Sequence, residues 1–418
     1  MSAEGAPRVA MLSPVTPAHG RGGVQDIVWT LARGLVERGA EVRLITSAHP
    51  DGLPAETRDG VSLRYLDVPG RDLALHGLHG RWMRASRIEV AALHGESPLD
   101  VIHSQSYCGL HLVGALPGVP VVATLHGTHL DELRTRAGLL RENLPGRPLA
   151  ALRVAAQWAL MARRFLAEGP RLARCEGVIA TSREQHELLL ARYHVPAGRL
   201  HDVWNGVDAR RFTARGADPA RRERLGAAPG APLALAVARL YQEKGIQHAL
   251  RAWPRVLAAH PRATLAVVGD GPYRPALEAL AAALGLGERV RFAGAVALEE
   301  LPDLYAAADL FVNPTVRING YDLTILQAMA CARPVVVSNI GSVPTAVTDG
   351  VDGLLAPPGD PGALAARMLA VLGDRERAAA LGAAARTTVV GRFSVEAMVE
   401  GTLGAYRAAR AVLREPAR

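Results

Sequence analysis

The chain has 418 residues, of which 49% are apolar and 4% aromatic, and its formal net charge is +8. This length exceeds what a single hydrophobic core usually supports, so two domains of roughly 200 residues each are expected. The arginines are spread along the chain and no nucleic-acid-binding motif is present, which argues against nucleic acid as a partner, whereas the positive charge favours anionic ligands.

The three cysteines, Cys108, Cys175 and Cys331, lie far apart and lack the spacing of metal ligands. They indicate a reducing compartment and no disulfide framework. The N-terminus lacks the charged and long apolar regions of a signal peptide, and no segment is apolar enough to span a membrane. We therefore expect a cytoplasmic protein with no stable membrane insertion.

Both halves of the chain alternate short β-branched runs with amphipathic stretches, a pattern typical of parallel sheets covered by helices. In the first half, the predicted strands are residues 9–12, 41–46, 101–104, 119–124 and 177–180. In the second half, they are residues 233–237, 264–268, 289–293, 310–313, 334–338 and 353–355. Each half therefore predicts a doubly wound, Rossmann-like α/β domain.

The domain boundary is predicted from a change in composition. Residues 211–231 are rich in Arg, Ala, Gly and Pro with little apolar periodicity, and we interpret them as a linker. The linker separates an N-terminal domain, residues 1–210, from a C-terminal domain, residues 232–393. Residues 394–418 are expected to form a helix that crosses back to the first domain. Two doubly wound domains should face each other across a cleft that binds ligand at the carboxyl ends of their strands.

Glycine-bearing loops follow two of the predicted strands. Gly22 and Gly23 precede a helix in the first half, and Gly269 and Gly271 follow the strand at 264–268. Without side chains, such loops allow the backbone to approach a phosphate or a sugar closely. A glycine turn between a strand and a helix is also common for structural reasons alone, so the functional interpretation needs further support.

Lys244 is the only lysine in the chain, since every other one of the 48 Lys and Arg residues is an arginine. Arg239 and Lys244 lie in one loop after the strand at 233–237, so both cations can point into the same cleft. Cations placed in advance can stabilise a diphosphate leaving group. The nearby aspartates form no metal-binding pattern, so no metal ion or other cofactor is expected. The alternative is that Lys244 lies on a solvated loop.

The chain resembles family 4 of the retaining glycosyltransferases, which have the GT-B fold. In the second half the resemblance rests on residues 239–245, 268–272, 326–336, 341–344 and 349–355. In the first half it rests on residues 22–23, 125–128, 180–182 and 205–208, so it covers nearly the whole chain. It implies an enzyme that transfers a sugar from a nucleotide sugar and retains the anomeric configuration, with the departing phosphate taking the proton of the acceptor.

The resemblance also implies a role for individual residues. Around the donor it implies Arg239 and Lys244 on the diphosphate, Gly22 and Gly23 as a cap over it, and Gly269 and Gly271 along its side. His126 would lie beside the transferred sugar and position it. The implied catalytic residues are therefore His126, Arg239 and Lys244.

The chain departs from the family at two donor-binding positions. Family members usually carry two glutamates eight positions apart, the first on the sugar hydroxyls and the second on the ribose, and here these positions are Asn319 and Gln327. An amide can still hydrogen-bond a hydroxyl, but it lacks the charge of a carboxylate. We expect a working enzyme with adapted donor selection. The alternative is a non-catalytic protein that binds sugar nucleotides.

The acceptor is predicted from two acids that follow His126. Asp131 and Glu132 would favour a cationic acceptor such as an aminocyclitol, although they could equally cap the next helix. The chain also resembles, less specifically, the family branch that glycosylates deoxystreptamine. The predicted reaction is therefore transfer of N-acetylglucosamine from UDP-GlcNAc to 2-deoxystreptamine in aminoglycoside antibiotic biosynthesis.

A lipid, polysaccharide or inositol phosphate acceptor is the alternative within the same family. Membrane docking would be favoured by Arg81, Arg84 and Arg87, which recur at a spacing of three residues. The same row of arginines is also typical of an ordinary solvated helix face.

Overall fold

The computed structural model describes residues 6–20, 22–69, 80–143, 159, 162–163, 165–318 and 320–414. They divide into two compact units. The first unit comprises the described residues of Met1–Leu133, Asn143–Gly206 and Val395–Arg418. The second comprises Arg134–Glu142 and Val207–Ser394.

The first unit contains an eight-stranded sheet. Its strands are β1 (Arg8–Leu12), β2 (Glu41–Thr46), β3 (Ala55–Arg58), β4 (Val61–Tyr65), β5 (Val101–Gln105), β6 (Val121–Leu125), β7 (Gly177–Ala180) and β8 (Leu200–Asp202). Their order across the sheet is β3-β4-β2-β1-β5-β6-β7-β8, and every neighbouring pair is parallel except β3 and β4. The five predicted strands are all present. β3, β4 and β8 were not predicted, because they are short and β3 is largely exposed.

The second unit contains a six-stranded sheet in which every pairing is parallel. Its strands are β9 (Leu233–Val237), β10 (Thr264–Val268), β11 (Val290–Gly294), β12 (Leu310–Asn313), β13 (Val335–Ser338) and β14 (Leu354–Ala356). Their order is β11-β10-β9-β12-β13-β14, so the chain reverses its direction of winding between β9 and β12. The loops after these two strands diverge, and such a switch point is where doubly wound sheets bind ligands.

Helices connect the strands. The helices referred to below are α1 (Gly23–Glu37), α2 (Arg81–Glu96), α3 (His129–Asn143), α4 (Arg183–Tyr193), α5 (Pro219–Arg224), α6 (Ile246–Ala259), α7 (Arg274–Ala283), α8 (Leu301–Ala307), α9 (Leu323–Ala330), α10 (Val343–Ala346), α11 (Pro361–Leu372), α12 (Arg375–Arg392) and α13 (Val395–Arg414). β5, β6, β9 and β10 are buried at every position, as expected of parallel strands covered on both faces. The two-domain α/β prediction is thus confirmed at the level of the sheets.

Residues 207–231 belong to the second unit, whereas the sequence analysis ends the first domain at 210 and assigns 211–231 to a linker. Val207 forms a parallel bridge with Ser394, and the carboxylate of Asp208 accepts the backbone N–H groups of Arg210 and Arg211. α5 lies within this stretch and begins at the N-cap Asp218. Local polar contacts therefore give residues 207–231 a defined structure. Such contacts cannot be recognised from an arginine-rich composition.

The C-terminal helix α13 is part of the first unit. Val399 lies so close to Gly34 of α1 that a Cβ atom at Gly34 would be 2.5 Å from it, and Arg410 forms an ion pair with Asp100 at 3.4 Å. Tyr406, near the end of α13, is buried against His103 of β5, with their ring centroids 5.5 Å apart. Residues from the far end of the chain are therefore part of the core of the first unit. Among the described residues, no helix is long and apolar enough to cross a membrane.

Candidate active site

Lys244 lies at the switch point of the second sheet, in the turn between β9 and α6. Its side chain is only 7% exposed and forms an ion pair with the carboxylate of Asp322. Asp322 is the N-cap residue of α9, but its side chain makes no capping hydrogen bond and instead accepts the Asn313 amide at 3.0 Å. The single lysine of the chain is therefore a buried, paired cation and does not lie on a solvated loop.

The charge of Asp322 is maintained by its neighbours. Burial alone raises the pKa of a carboxylic acid, but the Lys244 ammonium, the Asn313 amide and the more distant Arg317 outweigh it and lower the pKa of Asp322 to about 2. The Asp322 carboxylate is thus ionised at neutral pH. Sequence reasoning missed Asp322, because it lies 78 residues from Lys244 and no local motif links the two.

Arg239 occupies the same loop as Lys244 but has a different environment. It is exposed, and its guanidinium lies 5.3 Å from the centroid of the Tyr241 ring. The arrangement leaves its hydrogen-bonding edge available to an anionic ligand, since the aromatic face holds only the plane of the guanidinium.

Four glycines hold the switch-point loops against one another. A Cβ atom at Gly245 would overlap the carbonyl oxygen of Pro314, and one at Gly341 would overlap that of Ile318. In the same way, Gly269 packs on the carbonyl of Ala238, and Gly271 packs on that of Leu240, where an added Cβ would be 2.5 Å away. The loops after β9, β10, β12 and β13 are thus in backbone-to-backbone contact. Gly269 and Gly271, for which a donor role is predicted, thus also have a structural reason to be glycine.

Gln327 lies on α9 and is only 7% exposed. Its side-chain carbonyl oxygen accepts a hydrogen bond from the Tyr305 hydroxyl at 2.9 Å. The oxygen that the sequence analysis expected on a ribose hydroxyl is therefore already engaged, whereas the amide N–H₂ group is a potential donor to a ligand. Asn319 lies outside the described residues.

His126 directly follows β6 in the first unit. Its Nε2 lies 2.7 Å from Oε1 of Gln105 on the neighbouring strand β5, and its Nδ1 is a buried atom with no hydrogen-bond partner. Burial lowers the pKa of His126 to about 4, so the imidazole is neutral at physiological pH. The ring is therefore suited to hydrogen bonding, but not to acting as a cation.

Gly22 and Gly23 form the start of α1, at the carboxyl end of β1. Gly22 is the N-cap residue with an extended backbone, and Gly23 is the first helical residue. The first N–H groups of a helix have no intrahelical partner and favour anionic groups. The predicted phosphate-capping role of the two glycines is compatible with this position and stays a prediction.

Asp131 and Glu132 lie in the first turn of α3. Asp131 is buried, its backbone N–H donates to the Thr128 hydroxyl at 3.1 Å, and that hydroxyl donates to its carboxylate at 2.6 Å. This reciprocal pair is a helix cap, which the sequence analysis kept open as an alternative. Acceptor binding by the two acids stays a prediction.

No group of three or more His, Cys, Asp or Glu side chains that could hold a metal ion is found in the part of the chain that the structure describes. The expectation of a metal-independent reaction stays a prediction.

Comparison with known proteins identifies the class of protein. The family described as Glycosyltransferase Family 4 matches residues 21–211, and the family described as Glycosyl transferases group 1 matches residues 231–374. Sucrose-phosphate synthase from Thermosynechococcus elongatus superimposes with a TM-score of 0.78 at 23% identity, covering 97% of this chain and 100% of that one. HepE of Anabaena, solved with UDP and glucose, gives a TM-score of 0.68 at 21% identity, covering 96% and 100%. The fold is thus that of the GT-B glycosyltransferases.

Two relatives define the family more closely. A protein named D-inositol 3-phosphate glycosyltransferase from Geodermatophilus obscurus is 34% identical, covering 96% of this chain and 89% of that protein. Its namesake from Xylanimonas cellulosilytica is 31% identical, covering 99% of both chains. The chain belongs to glycosyltransferase family 4 and is a hexosyltransferase enzyme. The aminoglycoside branch suggested by the sequence analysis gains no support, because these relatives are named for an inositol phosphate.

We predict that Gly269→Ala destabilises the second unit much more than Gly285→Ala. Both glycines have positive φ, 129° and 65°, but only at Gly269 does a Cβ atom meet a neighbouring backbone. The expected loss in unfolding free energy exceeds about 3 kcal/mol at Gly269, against about 1 kcal/mol at Gly285. Urea denaturation checks this, and equal losses would contradict the loop contact.

We predict that Asp322→Asn lowers the unfolding free energy by about 3 kcal/mol, because it leaves the Lys244 ammonium buried without its carboxylate. Adding Lys244→Met should recover much of this loss. Glu278→Gln is the matched control, since it breaks a more exposed pair with Arg274 and should cost less than about 1 kcal/mol. Urea denaturation measures the unfolding free energies. If the losses of the two single variants simply add in the double variant, the two side chains are not coupled.

The buried histidines predict how stability depends on pH. Burial lowers the pKa of His103 to about 3 and that of His126 to about 4, whereas an unfolded histidine titrates near 6.5. The unfolded chain therefore binds more protons between pH 6.5 and 4, so stability is complete above about 6.5 and is lost as the pH falls through this window. The loss should approach about 1.4 kcal/mol per pH unit for each histidine. Denaturation at pH 7.5, 6 and 5 measures it, and His103→Asn should give a shallower slope.

Proposed function

We propose that the protein transfers a hexose from a UDP-linked sugar to a hydroxyl of an inositol phosphate, with retention of the anomeric configuration. The observation that carries the acceptor is the name shared by the relatives at 34% and 31% identity, which cover nearly the whole chain. The donor is supported by the structural neighbour HepE, which was solved with UDP and glucose. UDP-N-acetylglucosamine stays the first sugar nucleotide to test.

The position of Asp131 and the net charge of the chain fit an anionic acceptor better than a cationic one. The acidic pair Asp131 and Glu132 was the feature that favoured an aminocyclitol, and Asp131 is buried in a helix cap with Thr128. The chain as a whole carries a net charge of +8, which favours encounter with a phosphorylated substrate. Transfer to 2-deoxystreptamine is therefore the weaker alternative.

In the proposed mechanism, Lys244 and Arg239 stabilise the charge that develops on the diphosphate as the glycosidic bond to it breaks. The departing phosphate oxygen accepts the proton of the attacking acceptor hydroxyl on the same face of the sugar, as in the family that the chain resembles. His126, neutral and without a partner at Nδ1, accepts a hydrogen bond from a hydroxyl of the transferred sugar. No side-chain carboxylate is required as a nucleophile, so the amides at Asn319 and Gln327 do not prevent this chemistry.

Turnover by mass spectrometry tests the proposal. The purified protein is offered UDP-N-acetylglucosamine, UDP-glucose and a GDP-sugar, each with inositol 3-phosphate, unphosphorylated inositol or 2-deoxystreptamine. We expect one product, from a UDP-sugar and inositol 3-phosphate, whose formation is unchanged by EDTA. Lys244→Ala should lower kcat/KM about 100-fold, as removal of one charge-stabilising group does.

Glu278→Gln is the matched control in the same domain and should keep full activity, since it changes only a helix-surface ion pair. Product with 2-deoxystreptamine alone would replace the proposed acceptor. Binding of UDP without any product would favour the non-catalytic alternative, and glutamate would then be restored at Asn319 and Gln327.

A further inference from the structure

A network of buried polar side chains is hydrogen-bonded to His126 in the first unit, and the reaction described so far gives this network no role. Its members are His103 and Gln105 on β5, Thr124 on β6 and Tyr406 on α13. β5 and β6 pair in parallel with Gln105 opposite Thr124. Because side chains alternate between the two faces of a sheet, His103, Gln105, Thr124 and His126 all fall on one face.

The orientation of the Gln105 amide sets the direction of the hydrogen bonds in this network. Oε1 of Gln105 accepts the proton of His126 Nε2 at 2.7 Å, which leaves the amide N–H₂ of Gln105 to donate to His103 Nε2 at 3.3 Å. The Thr124 hydroxyl donates to the same nitrogen at 2.8 Å. With Nε2 of His103 acting as acceptor, its proton is on Nδ1 and points to the Tyr406 hydroxyl oxygen at 2.6 Å. Tyr406 thus orients His103, which orients Gln105, which in turn orients His126.

Burying these groups is energetically expensive. His103 is 0% exposed, Gln105 and Tyr406 are each 2% exposed, and Thr124 is 5% exposed. Apolar side chains would fill the same space without the cost of desolvating polar atoms, and the hydrogen bonds among the members of the network offset this cost. At its end, Nδ1 of His126 is buried and has no partner. An unsatisfied acceptor at the end of a satisfied network is the arrangement expected of a group that binds a ligand hydroxyl.

We propose that Gln105, His103 and Tyr406 are positioning residues that fix the orientation of His126 and keep it as the neutral tautomer with its proton on Nε2. Nδ1 then presents its lone pair to a hydroxyl of the transferred sugar. The sugar contact rests on the proposed function, whereas the tautomer does not. The C-terminal helix therefore supplies, through Tyr406, the outer end of a hydrogen-bond relay to the active site.

The tautomer is measured directly by NMR of the full-length protein labelled with ¹⁵N-histidine. Two-bond ¹H–¹⁵N correlations distinguish the two ring nitrogens, and the His126→Gln variant assigns the signals. We expect a single Nε2–H tautomer for His126 that does not titrate between pH 6 and 8. A proton on Nδ1, or titration within this range, would overturn the proposal.

Variants test whether the relay is the cause. Tyr406→Phe removes only the oxygen that accepts from His103, and Gln105→Leu removes the acceptor of His126. Both should give averaged nitrogen shifts at His126, which report exchange between tautomers, whereas Gln105→Glu should keep the Nε2–H form because it keeps that acceptor. Tyr65→Phe is the control, since it removes another buried hydroxyl of the same unit, bonded to Glu56. A His126 spectrum unchanged in Tyr406→Phe and Gln105→Leu would refute the relay.

Kinetics separate this inference from the proposed function. In a protein that turns over, Tyr406→Phe should lower kcat about tenfold and leave the KM for the nucleotide sugar unchanged, whereas Tyr65→Phe should change neither. Equal kcat values for Tyr406→Phe and the wild type would contradict a positioning role. If no sugar is transferred by the wild type, the proposed function fails, while the NMR result still decides the tautomer and the relay.

Discussion

The contact between Lys244 and Asp322 is the interaction around which the second unit's site is organised. It joins the loop after β9 to the N-terminus of α9, so it spans the switch point of the sheet. A buried ion pair is tolerated only where its geometry is well defined, because each charge is costly to desolvate alone. The glycine contacts between Gly245 and Pro314, and between Gly341 and Ile318, supply that definition. The backbone packing and the charge pair therefore depend on each other.

The contact between Lys244 and Asp322 also bears on the two amides, Asn319 and Gln327, at positions where glutamates were expected. Asn319 and Gln327 stand where related enzymes usually carry glutamates, yet the segment between them holds Asp322, whose pKa its neighbours keep at about 2. The second unit thus keeps a carboxylate in this segment, and it pairs with Lys244. In the proposed donor complex, the diphosphate competes with this carboxylate for the Lys244 ammonium.

The sequence predicted those features that depend on local pattern. All eleven predicted strands are present, because most of them are short apolar runs, and Lys244 was identified because it is chemically unlike its surroundings. Asp322 and Gln105 were missed because their partners come from distant segments or from strand register. The acceptor prediction depended on Asp131 as a charge, whereas its cap with Thr128 becomes visible only in three dimensions. Periodicity predicts elements, but it does not predict which side chains meet.

Burial has opposite outcomes for His126 of the first unit and for Asp322 of the second. Desolvation keeps the His126 imidazole neutral, whereas the Lys244 ammonium and the Asn313 amide keep the Asp322 carboxylate ionised despite its desolvation. Neither His126 nor Asp322 is then set to exchange a proton near neutral pH, since effective general acids and bases need a pKa close to the working pH. In the proposed reaction the proton acceptor is instead the departing phosphate, which a diphosphate donor provides. The lowered pKa values of His126 and Asp322 are thus a physical consequence of how each residue is buried and paired, and they agree with the proposed transfer on a single face of the sugar.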